Sequence, residues 1–252
     1  MKLNEIVIKV ENLSAGYDKK PIMENLNFQI FKGEVFVIIG GSGCGKSTLM
    51  KNMIGLLPPI AGKVMIQGEN LSHATGNHRA RILQKIGVAF QSSALFGSMT
   101  IMENVKLPLK EFTDLPDSIM EDIAFLKLKL VGLDQSAFLM PAELSGGMKK
   151  RAALARAMAL DPDIIFLDEP SAGLDPVTSA GLDNLVTGLA SDLGITFVIV
   201  THELASIETI SDRLIMLEKS AKGIIAIGTP QQLKSDKTDP YVYNFFNRQA
   251  IT

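Results

Sequence analysis

Residues 40–47 read Gly40-Gly41-Ser42-Gly43-Cys44-Gly45-Lys46-Ser47 and fit the G-x-x-x-x-G-K-[ST] phosphate-loop pattern without a mismatch. The apolar run at 35–39 precedes this octapeptide, and residues 48–54 after it have the composition of a helix. Glycines let backbone N–H groups turn inward around phosphate oxygens, and a helix start adds unpaired donors. The stretch therefore predicts a strand, a phosphate-binding loop and a helix; a plain glycine-rich turn is the alternative.

The side chains of this loop suggest how a nucleotide and its metal are held. Lys46 supplies a mobile positive charge for the outer phosphates, and the Ser47 hydroxyl is a candidate Mg2+ ligand. Cys44 is expected to contribute its backbone rather than its sulfur, with a reactive thiol as the alternative. The predicted nucleotide-binding residues of this stretch are Gly40, Gly41, Ser42, Gly43, Cys44, Gly45, Lys46, Ser47 and Thr48.

Composition narrows the class of protein. The chain has 252 residues, 46% of them apolar, with a net charge of −2 and one cysteine. These numbers favour a globular protein with a large core, exclude an internal disulfide, and argue against a basic field that would hold nucleic acid. No apolar run approaches the ~20 residues that a membrane crossing needs, and the N-terminus lacks a secretion signal. We therefore expect a soluble or peripheral protein.

The order of predicted elements indicates an α/β fold. Short strands are predicted at 3–10, 26–31 and 63–67, and buried strands at 35–39, 86–90, 164–167 and 195–200. Helical spacing marks 119–128, 149–160, 177–191 and 204–210, while 103–109 reads as irregular, 214–227 as a hairpin and 231–235 as a short helix. The pattern predicts a mainly parallel sheet with an N-terminal antiparallel β subdomain and a helical insertion.

Two adjacent carboxylates follow a buried strand. Asp168 and Glu169 end the run 164–169, which is where open α/β sheets bind ligands. We assign Asp168 to binding the metal and Glu169 to polarising the attacking water, because a nucleotide that is held at the phosphate loop needs both functions. A charged loop cap is the alternative.

A second small-residue helix start lies at Leu144-Ser145-Gly146-Gly147, just before the helix predicted at 149–160. Alone it would be read as an N-cap serine with loop glycines. Together with the phosphate loop and the paired carboxylates it resembles the signature of ABC-type ATPases, and the resemblance covers nearly the whole chain. It implies a P-loop NTPase fold of the ABC type, ATP and Mg2+ as cofactors, and ATP hydrolysis.

The resemblance assigns roles to further residues. Tyr17 resembles the aromatic that stacks on adenine, and Gln91 the glutamine that senses Mg2+ and contacts a membrane subunit. The segment Ser171–Asp175 resembles the loop that crosses the dimer interface, which makes Asp175 a cofactor-side residue. His202 resembles the histidine that binds the γ-phosphate. The implied catalytic residues are Lys46, Glu169 and His202, and the implied metal ligands are Ser47, Gln91 and Asp168.

One position departs from the family pattern. The fifth signature residue is usually glutamine, and here it is Met148, which is a poor hydrogen-bonding group. Residues 90–96, 104–109, 143–148 and 151–157 together resemble the Mla-type phospholipid-trafficking ATPases, which work with lipid-binding MCE proteins in bacteria. Met148 is read as a mark of such a subfamily.

The resemblance also implies a mechanism and partners. A head-to-tail dimer brings Ser145, Gly146 and Gly147 of one copy to the ATP of the other. Each copy then consists of a nucleotide-binding core at 1–91 and 160–235, a helical subdomain at 92–159 and a tail at 236–252. The partners are a second copy, an integral-membrane permease and an MCE-domain protein, with no nucleic acid. The protein is expected in the cytoplasm, peripheral on the inner membrane.

Several alternatives stay open at this point. Residues 92–102, with Leu95, Phe96, Met99, Ile101 and Met102, either form a groove for the permease or pack in the core. The aromatic tail from Asp239 to Phe246 docks either on a second subunit or on its own core. The cargo could be another substrate of an importer or exporter. A non-transport ABC ATPase acting on nucleic acid is a further alternative, although 46–145 contains no heptad run.

Overall fold

The computed structural model describes residues 5–249 as two β-sheets with helices packed on them. In chain order the strands are β1 (Ile6–Tyr17), β2 (Lys20–Phe31), β3 (Val35–Gly40), β4 (Ala61–Ile66), β5 (Glu69–Asn70), β6 (Ile86–Ala89), β7 (Ile164–Asp168), β8 (Thr196–Val200), β9 (Arg213–Glu218) and β10 (Gly223–Gly228). The helices are α1 (Lys46–Met53), α2 (Gly76–Leu83), α3 (Ile101–Phe112), α4 (Asp117–Leu130), α5 (Gly146–Ala157), α6 (Pro176–Leu193), α7 (Leu204–Ile210), α8 (Pro230–Ser235) and α9 (Pro240–Phe246). Residues 3–4 of the predicted first strand and 250–252 of the predicted tail lie outside the described residues. Among residues 5–249, no helix combines the length and the apolar character that a membrane crossing requires.

The larger sheet carries the phosphate loop. Its strands run in the order β10-β9-β3-β8-β7-β6, all parallel except β10, which pairs antiparallel to β9. Every residue of β3 and β8 is buried, as expected for apolar parallel strands that are covered on both faces. Because β8 lies between β3 and β7, the carboxyl ends of these three strands meet at one edge.

A four-stranded antiparallel sheet, in the order β2-β1-β4-β5, packs against one face of the larger sheet. Alternate residues of β3 point to this face, so Phe36 and Ile38 share a core with α1 and with β1 and β2. The rings of Phe28 and Phe36 stack in this core with their centroids 5.7 Å apart. The predicted α/β class with an N-terminal antiparallel sheet is therefore confirmed.

The opposite face of the larger sheet is covered by helices. Val37 and Ile39 of β3 lie in a second core together with buried residues of α3, α4, α5, α6 and α7. Residues 92–159 contain α3, α4 and α5, and this core joins these helices to the sheet without interruption. The division of the chain into a nucleotide-binding core, a helical subdomain and a tail remains a prediction.

The prediction of an irregular stretch at 103–109 is wrong. This segment lies inside α3, which begins with a capping box in which Thr100 and Glu103 satisfy each other's backbone N–H groups. Pro108 lies within the helix and breaks its hydrogen-bond ladder. Packing offsets this loss, because Ile101, Val105 and Leu109 follow the helical spacing and are buried.

Other differences concern extent and two helices that were not predicted. β1 and β2 are longer than expected because register shifts let them follow each other as far as a turn at residues 18–19. α2 and α9 were not predicted as helices. In α9 the Asp239 carboxylate accepts hydrogen bonds from the N–H groups of Tyr241 and Val242. Val242 and Phe246 are buried in the chain's own core. Of the two alternatives for this segment, docking on a second subunit or on its own core, the structure therefore shows the second.

Candidate functional site

A cavity of about 780 Å3 opens at the carboxyl ends of β3, β7 and β8. Its walls come from the phosphate loop, the start of α1, the residues that follow β6, β7 and β8, and two apolar side chains. The lining residues are Ile22, Gly40, Gly41, Ser42, Gly43, Gly45, Lys46, Ser47, Thr48, Gln91, Glu169, His202 and Phe245. The structure thus brings together most of the predicted residues, from four distant parts of the sequence.

The backbone of the phosphate loop requires glycine at two of its positions. Gly40 has a φ of 151°, and a Cβ there would lie 2.4 Å from the carbonyl oxygen of Leu217 on β9. Gly45, with a φ of 106°, is the N-cap of α1 and offers no side chain to the first-turn N–H groups. These donors are therefore free for an anion, which is the arrangement that phosphate-binding helix starts use.

Lys46 folds back over the loop. Its ammonium donates to the carbonyl oxygens of Gly40, at 2.8 Å, and Gly41, at 3.1 Å. The charge thus lies above the same peptide groups that would surround the outer phosphates of a nucleotide.

Cys44 belongs to the loop but does not line the cavity. Its side chain is 2% exposed, and burial raises the pKa of the thiol above its ordinary value. A thiol that is buried and held protonated is a poor nucleophile. The structure therefore favours the backbone role over the reactive-thiol alternative.

Asp168 lies beneath the cavity at the end of β7. Its Oδ1 atom is buried and has no hydrogen-bond partner, and burial together with the neighbouring Glu169 carboxylate raises the pKa of Asp168. An unpartnered buried carboxylate oxygen suits a hard cation, and the hydroxyl of Ser47, which lines the cavity, is a neutral oxygen that such a cation also accepts as a ligand. Among residues 5–249, no group of three His, Cys, Asp or Glu side chains could hold a metal unaided. Magnesium that is bound through one carboxylate and substrate phosphates fits such a site.

Glu169 and His202 form a pair at the rim of the cavity. The Oε1 atom of Glu169 lies 2.8 Å from Nδ1 of His202, which follows the end of β8. The Glu169 backbone has a φ of 46° and its N–H donates to the carbonyl of Val200, which aims the side chain across the strand ends. The carboxylate is mostly buried whereas the His202 side chain is 68% exposed. His202 is therefore no buried structural histidine.

Gln91 begins a loop that α5 holds from outside. The carbonyl oxygen of Gln91 accepts from the ammonium of Lys150 at 2.5 Å. Further along, Ser93 and Ala94 have φ values of 63° and 49°, and the guanidinium of Arg156 donates to the carbonyls of both. Two successive left-handed residues are unfavourable, so the Arg156 bonds account for their stability.

The next part of this loop, 96–100, is held by Asn104 of α3. The Asn104 side chain is fully buried, and its Oδ1 accepts from the N–H of Phe96 at 2.8 Å. Its Nδ2 lies within hydrogen-bond distance of the carbonyls of Phe96, Met99 and Thr100. Ile101 and Met102 are buried in the core, so the groove alternative is wrong for these two residues, while Phe96 is 50% exposed.

The second helix start that is predicted to bind an anion lies outside the cavity. Ser145 is the N-cap of α5, and its hydroxyl accepts from the N–H of Met148 at 3.3 Å. Ser145 and Gly146 are exposed, whereas Gly147 is buried against Thr178 of α6. The Met148 side chain packs on the helical core, which explains why a residue without hydrogen-bonding groups is accommodated there.

Two further predicted residues also lie outside the lining of the cavity. Tyr17 is 46% exposed, and Asp175 uses its carboxylate to cap α6 by accepting from the N–H groups of Val177 and Thr178.

Two residues of the lining were not predicted from the sequence. They are Ile22 and Phe245, the two bulky apolar side chains of the cavity wall. The aromatic composition of 241–246 was a usable signal for Phe245, but nothing in the sequence relates Ile22 to the loop.

A family model described as ABC transporter matches residues 23–172 of the chain. The chain belongs to this family. The match spans the phosphate loop, Gln91, the signature and the paired carboxylates. This protein is therefore an ATP-binding member of the family that hydrolyses ATP.

Several individual ABC proteins are similar to this protein over most of its sequence. The intermembrane phospholipid transport system ATP-binding protein MlaF of Haemophilus influenzae is 38% identical over 92% of this chain and 87% of its own. The probable ribonucleotide transport ATP-binding protein mkl of Mycobacterium leprae is 39% identical over 98% of this chain and 70% of its own. A dimeric ATP-binding cassette in a post-hydrolysis state with ADP and Pi superposes with a TM-score of 0.78, at 29% identity, over 88% of this chain and 98% of its own.

Proposed function

We propose that this ABC ATPase works as a head-to-tail dimer that closes on ATP and drives a membrane permease carrying phospholipid. The dimer is supported by the separation of the two helix starts that are predicted to bind phosphate. The start of α1 lines the cavity, whereas Ser145 and Gly146 at the start of α5 are exposed and lie outside it. A second copy gives the exposed start a triphosphate to bind. The similar cassette with ADP and Pi is itself a dimer.

Each residue near the cavity has a role in this proposal. The free N–H groups of residues 40–48 surround the phosphates, and Lys46 leaves its carbonyl partners to bind the outer ones. Ser47, Gln91 and Asp168 hold Mg2+, which supplies charge neutralisation for the departing phosphate. Glu169 orients the attacking water and accepts its proton, and His202, held at 2.8 Å from Glu169, donates to the γ-phosphate.

The partner copy completes the site. Its Ser145, Gly146 and Gly147 cap the γ-phosphate, and Asp175 shapes the loop that crosses the interface. Tyr17 stacks on adenine, for which its exposure leaves it available. Hydrolysis then removes the charge that holds the two copies together, which opens the dimer and moves the permease.

The permease docks near the loop that follows Gln91. An apolar cavity of about 280 Å3 there includes Leu83, Val88 and the exposed Phe112 in its lining. Arg156 also lines this cavity and donates to the loop carbonyls of Ser93 and Ala94. A helix of the permease seated in it would act directly on the loop, and it would place the ATPase peripherally on the inner membrane.

Phospholipid is proposed as the cargo because of the similarity to MlaF and of the Mla-type pattern around Met148, with an MCE-domain protein as a further partner. The similarity to mkl, whose name specifies ribonucleotide transport, supports ribonucleotide as a second candidate cargo. Co-expression with the neighbouring permease, followed by mass spectrometry of what copurifies, tests this. Bound phospholipid supports the proposal; bound ribonucleotide, or nucleic acid in place of a permease, contradicts it.

The dimer is tested by mixing two inactive variants. Lys46→Ala spoils the phosphate loop, and Ser145→Arg spoils the signature. A mixed head-to-tail dimer has one site in which both parts are intact. Equal mixing makes about half of the dimers mixed, each with one good site of two, so about a quarter of the wild-type rate should return. The control is a single variant that carries both substitutions, because its dimer contains no site with both parts intact. If the mixture stays inactive while both variants remain folded, each chain closes its own site and the dimer proposal fails.

A further inference from the structure

Lys150 lies one turn into α5 and joins two parts of the cavity wall. Its ammonium donates to the carbonyl oxygen of Gln91 at 2.5 Å and to that of Glu169 at 3.3 Å. The Lys150 side chain is half-buried; its bond to Glu169 is partly shielded from water, whereas its bond to Gln91 is exposed. Gln91 and Glu169 line the cavity, but they belong to segments that follow different strands, β6 and β7.

One of the two carbonyls that Lys150 binds belongs to a left-handed residue, and the other lies two residues before a left-handed pair. Glu169 has a φ of 46°, and Gln91 leads into the left-handed pair Ser93 and Ala94. Such conformations persist only when neighbouring groups fix them. Arg156 fixes the peptide groups at 93 and 94, and Lys150 is the α5 side chain that fixes those at 91 and 169. Lys150 holds the Glu169 carbonyl and Val200 holds its N–H, so the Cα–Cβ direction of Glu169 is fixed and only the side-chain rotations are left to place the carboxylate.

The charge of Lys150 suits this position. The carboxylates of Asp168 and Glu169 act on the lysine and favour its charged form against the desolvation that lowers its pKa. In return, the ammonium offsets part of the repulsion between these two carboxylates. A neutral side chain at 150 would lose both the carbonyl bonds and this compensation.

We propose that Lys150 is a positioning residue for ATP hydrolysis, which holds the backbone of Gln91 and of Glu169 so that the Glu169 carboxylate faces the attacking water. It acts on the Glu169 of its own chain. The inference rests on the proposed role of Glu169, and it extends the active site to α5, the helix that the proposed function assigns to the partner's nucleotide.

The test compares Lys150→Met, Lys150→Arg and the adjacent control Lys149→Met in the full chain. Lys149 is similarly half-buried, and its side chain makes no hydrogen bond to the residues between 5 and 249. For Lys150→Met we expect kcat for ATP to fall about 10–100-fold, as for other groups that orient a reacting residue, while KM changes less than about twofold. Lys150→Arg keeps two donors on a charged group and should recover kcat to within about threefold. Lys149→Met should match the wild type.

The outcomes separate positioning from a general loss of structure. A fall in kcat with unchanged KM and unchanged thermal melting, recovered by arginine, supports the proposal. An unchanged kcat for Lys150→Met overturns it. So does a lowered melting temperature accompanied by equal losses in kcat and ATP affinity that arginine does not recover.

The mixed-dimer assay then separates this inference from the dimer proposal. In the mixed dimer, the chain with Ser145→Arg supplies the working phosphate loop and the working Glu169. Adding Lys150→Met to that chain should lower the recovered activity about 10–100-fold, whereas adding it to the Lys46→Ala chain should leave it in place. Equal loss from either chain overturns the own-chain action of Lys150. A complete absence of recovery before Lys150 is changed counts against the dimer alone, and the kcat comparison above still decides on Lys150.

Discussion

Gly147 gives the sharpest stability prediction, because a Cβ at this position would lie 2.4 Å from Cγ2 of Thr178. Thr178 has little room to turn away, since its hydroxyl donates to the Asp175 carboxylate at 2.6 Å in the cap of α6. Such overpacking typically costs about 1–3 kcal/mol. Alanine gains up to about 1 kcal/mol over glycine within a helix. We therefore expect Gly147→Ala to destabilise the protein by up to about 2 kcal/mol.

Thr178→Ser isolates the clash, because serine keeps the hydroxyl and removes Cγ2. In that background Gly147→Ala should become neutral or stabilising by up to about 1 kcal/mol, so the two changes should couple by about 1–3 kcal/mol. Urea unfolding of the nucleotide-free chain measures all four variants, provided that their m-values agree. Gly146→Ala is the matched control, because its Cβ would meet Leu174 at an ordinary 3.5 Å. Effects of Gly147→Ala and Thr178→Ser that add within about 0.5 kcal/mol would refute the steric reasoning.

Three further predictions follow from the same geometry. Glu169→Gln keeps the shape of the side chain beside His202 but removes the base, so kcat should fall about 10²–10⁴-fold while gel filtration detects an ATP-stabilised dimer; wild-type turnover would contradict the assigned role. Phe246→Ala removes a ring that is 2% exposed and should destabilise the nucleotide-free chain by up to about 3–5 kcal/mol, whereas unchanged melting with a lost dimer would indicate docking on the partner. Burial raises the pKa of Asp183, so the folded state keeps this proton to higher pH than the unfolded chain does, and stability falls as pH rises above about 3.9. Asp183→Asn retains an oxygen for the Ser206 hydroxyl and should raise the urea midpoint at pH 8 but not below about pH 4; an equal change at both pH values would exclude this cause.

Local sequence was sufficient for the parts of the site that one strand and its following loop create. The phosphate loop, the Asp168–Glu169 pair and His202 each follow a buried strand, and parallel strands bring their carboxyl ends to one edge. Their positions could therefore be predicted before any contact was known. The pairing of Glu169 with His202 at 2.8 Å follows from the adjacency of β7 and β8, which the sequence alone does not state.

The contributions that were missed come from residues distant in sequence or from packing that outweighs a local signal. Lys150 reaches the carbonyl of Gln91 across 59 positions, and no periodicity marks that contact. Phe245 lines the cavity because α9 lies beside the phosphate loop, where the Tyr241 hydroxyl is 3.2 Å from the position of a Cβ on Gly41. Pro108 disfavours a helix locally, but burial of the apolar face of α3 outweighs this effect. Such effects depend on free energies summed over the whole core, and a short window of sequence does not contain them.

Asn104 has a consequence for how freely this region can change. One buried amide, located outside the 96–100 loop, fixes that loop entirely through main-chain groups. Gly97 and Ser98 are exposed, and a Cβ on Gly97 would meet nothing within 4 Å. The loop can therefore exchange its outward side chains, and with them whatever surface it presents to a companion protein, without losing its path. The surface that contacts a companion protein can change here while Asn104, together with the Thr100–Glu103 capping box, keeps the main chain in place.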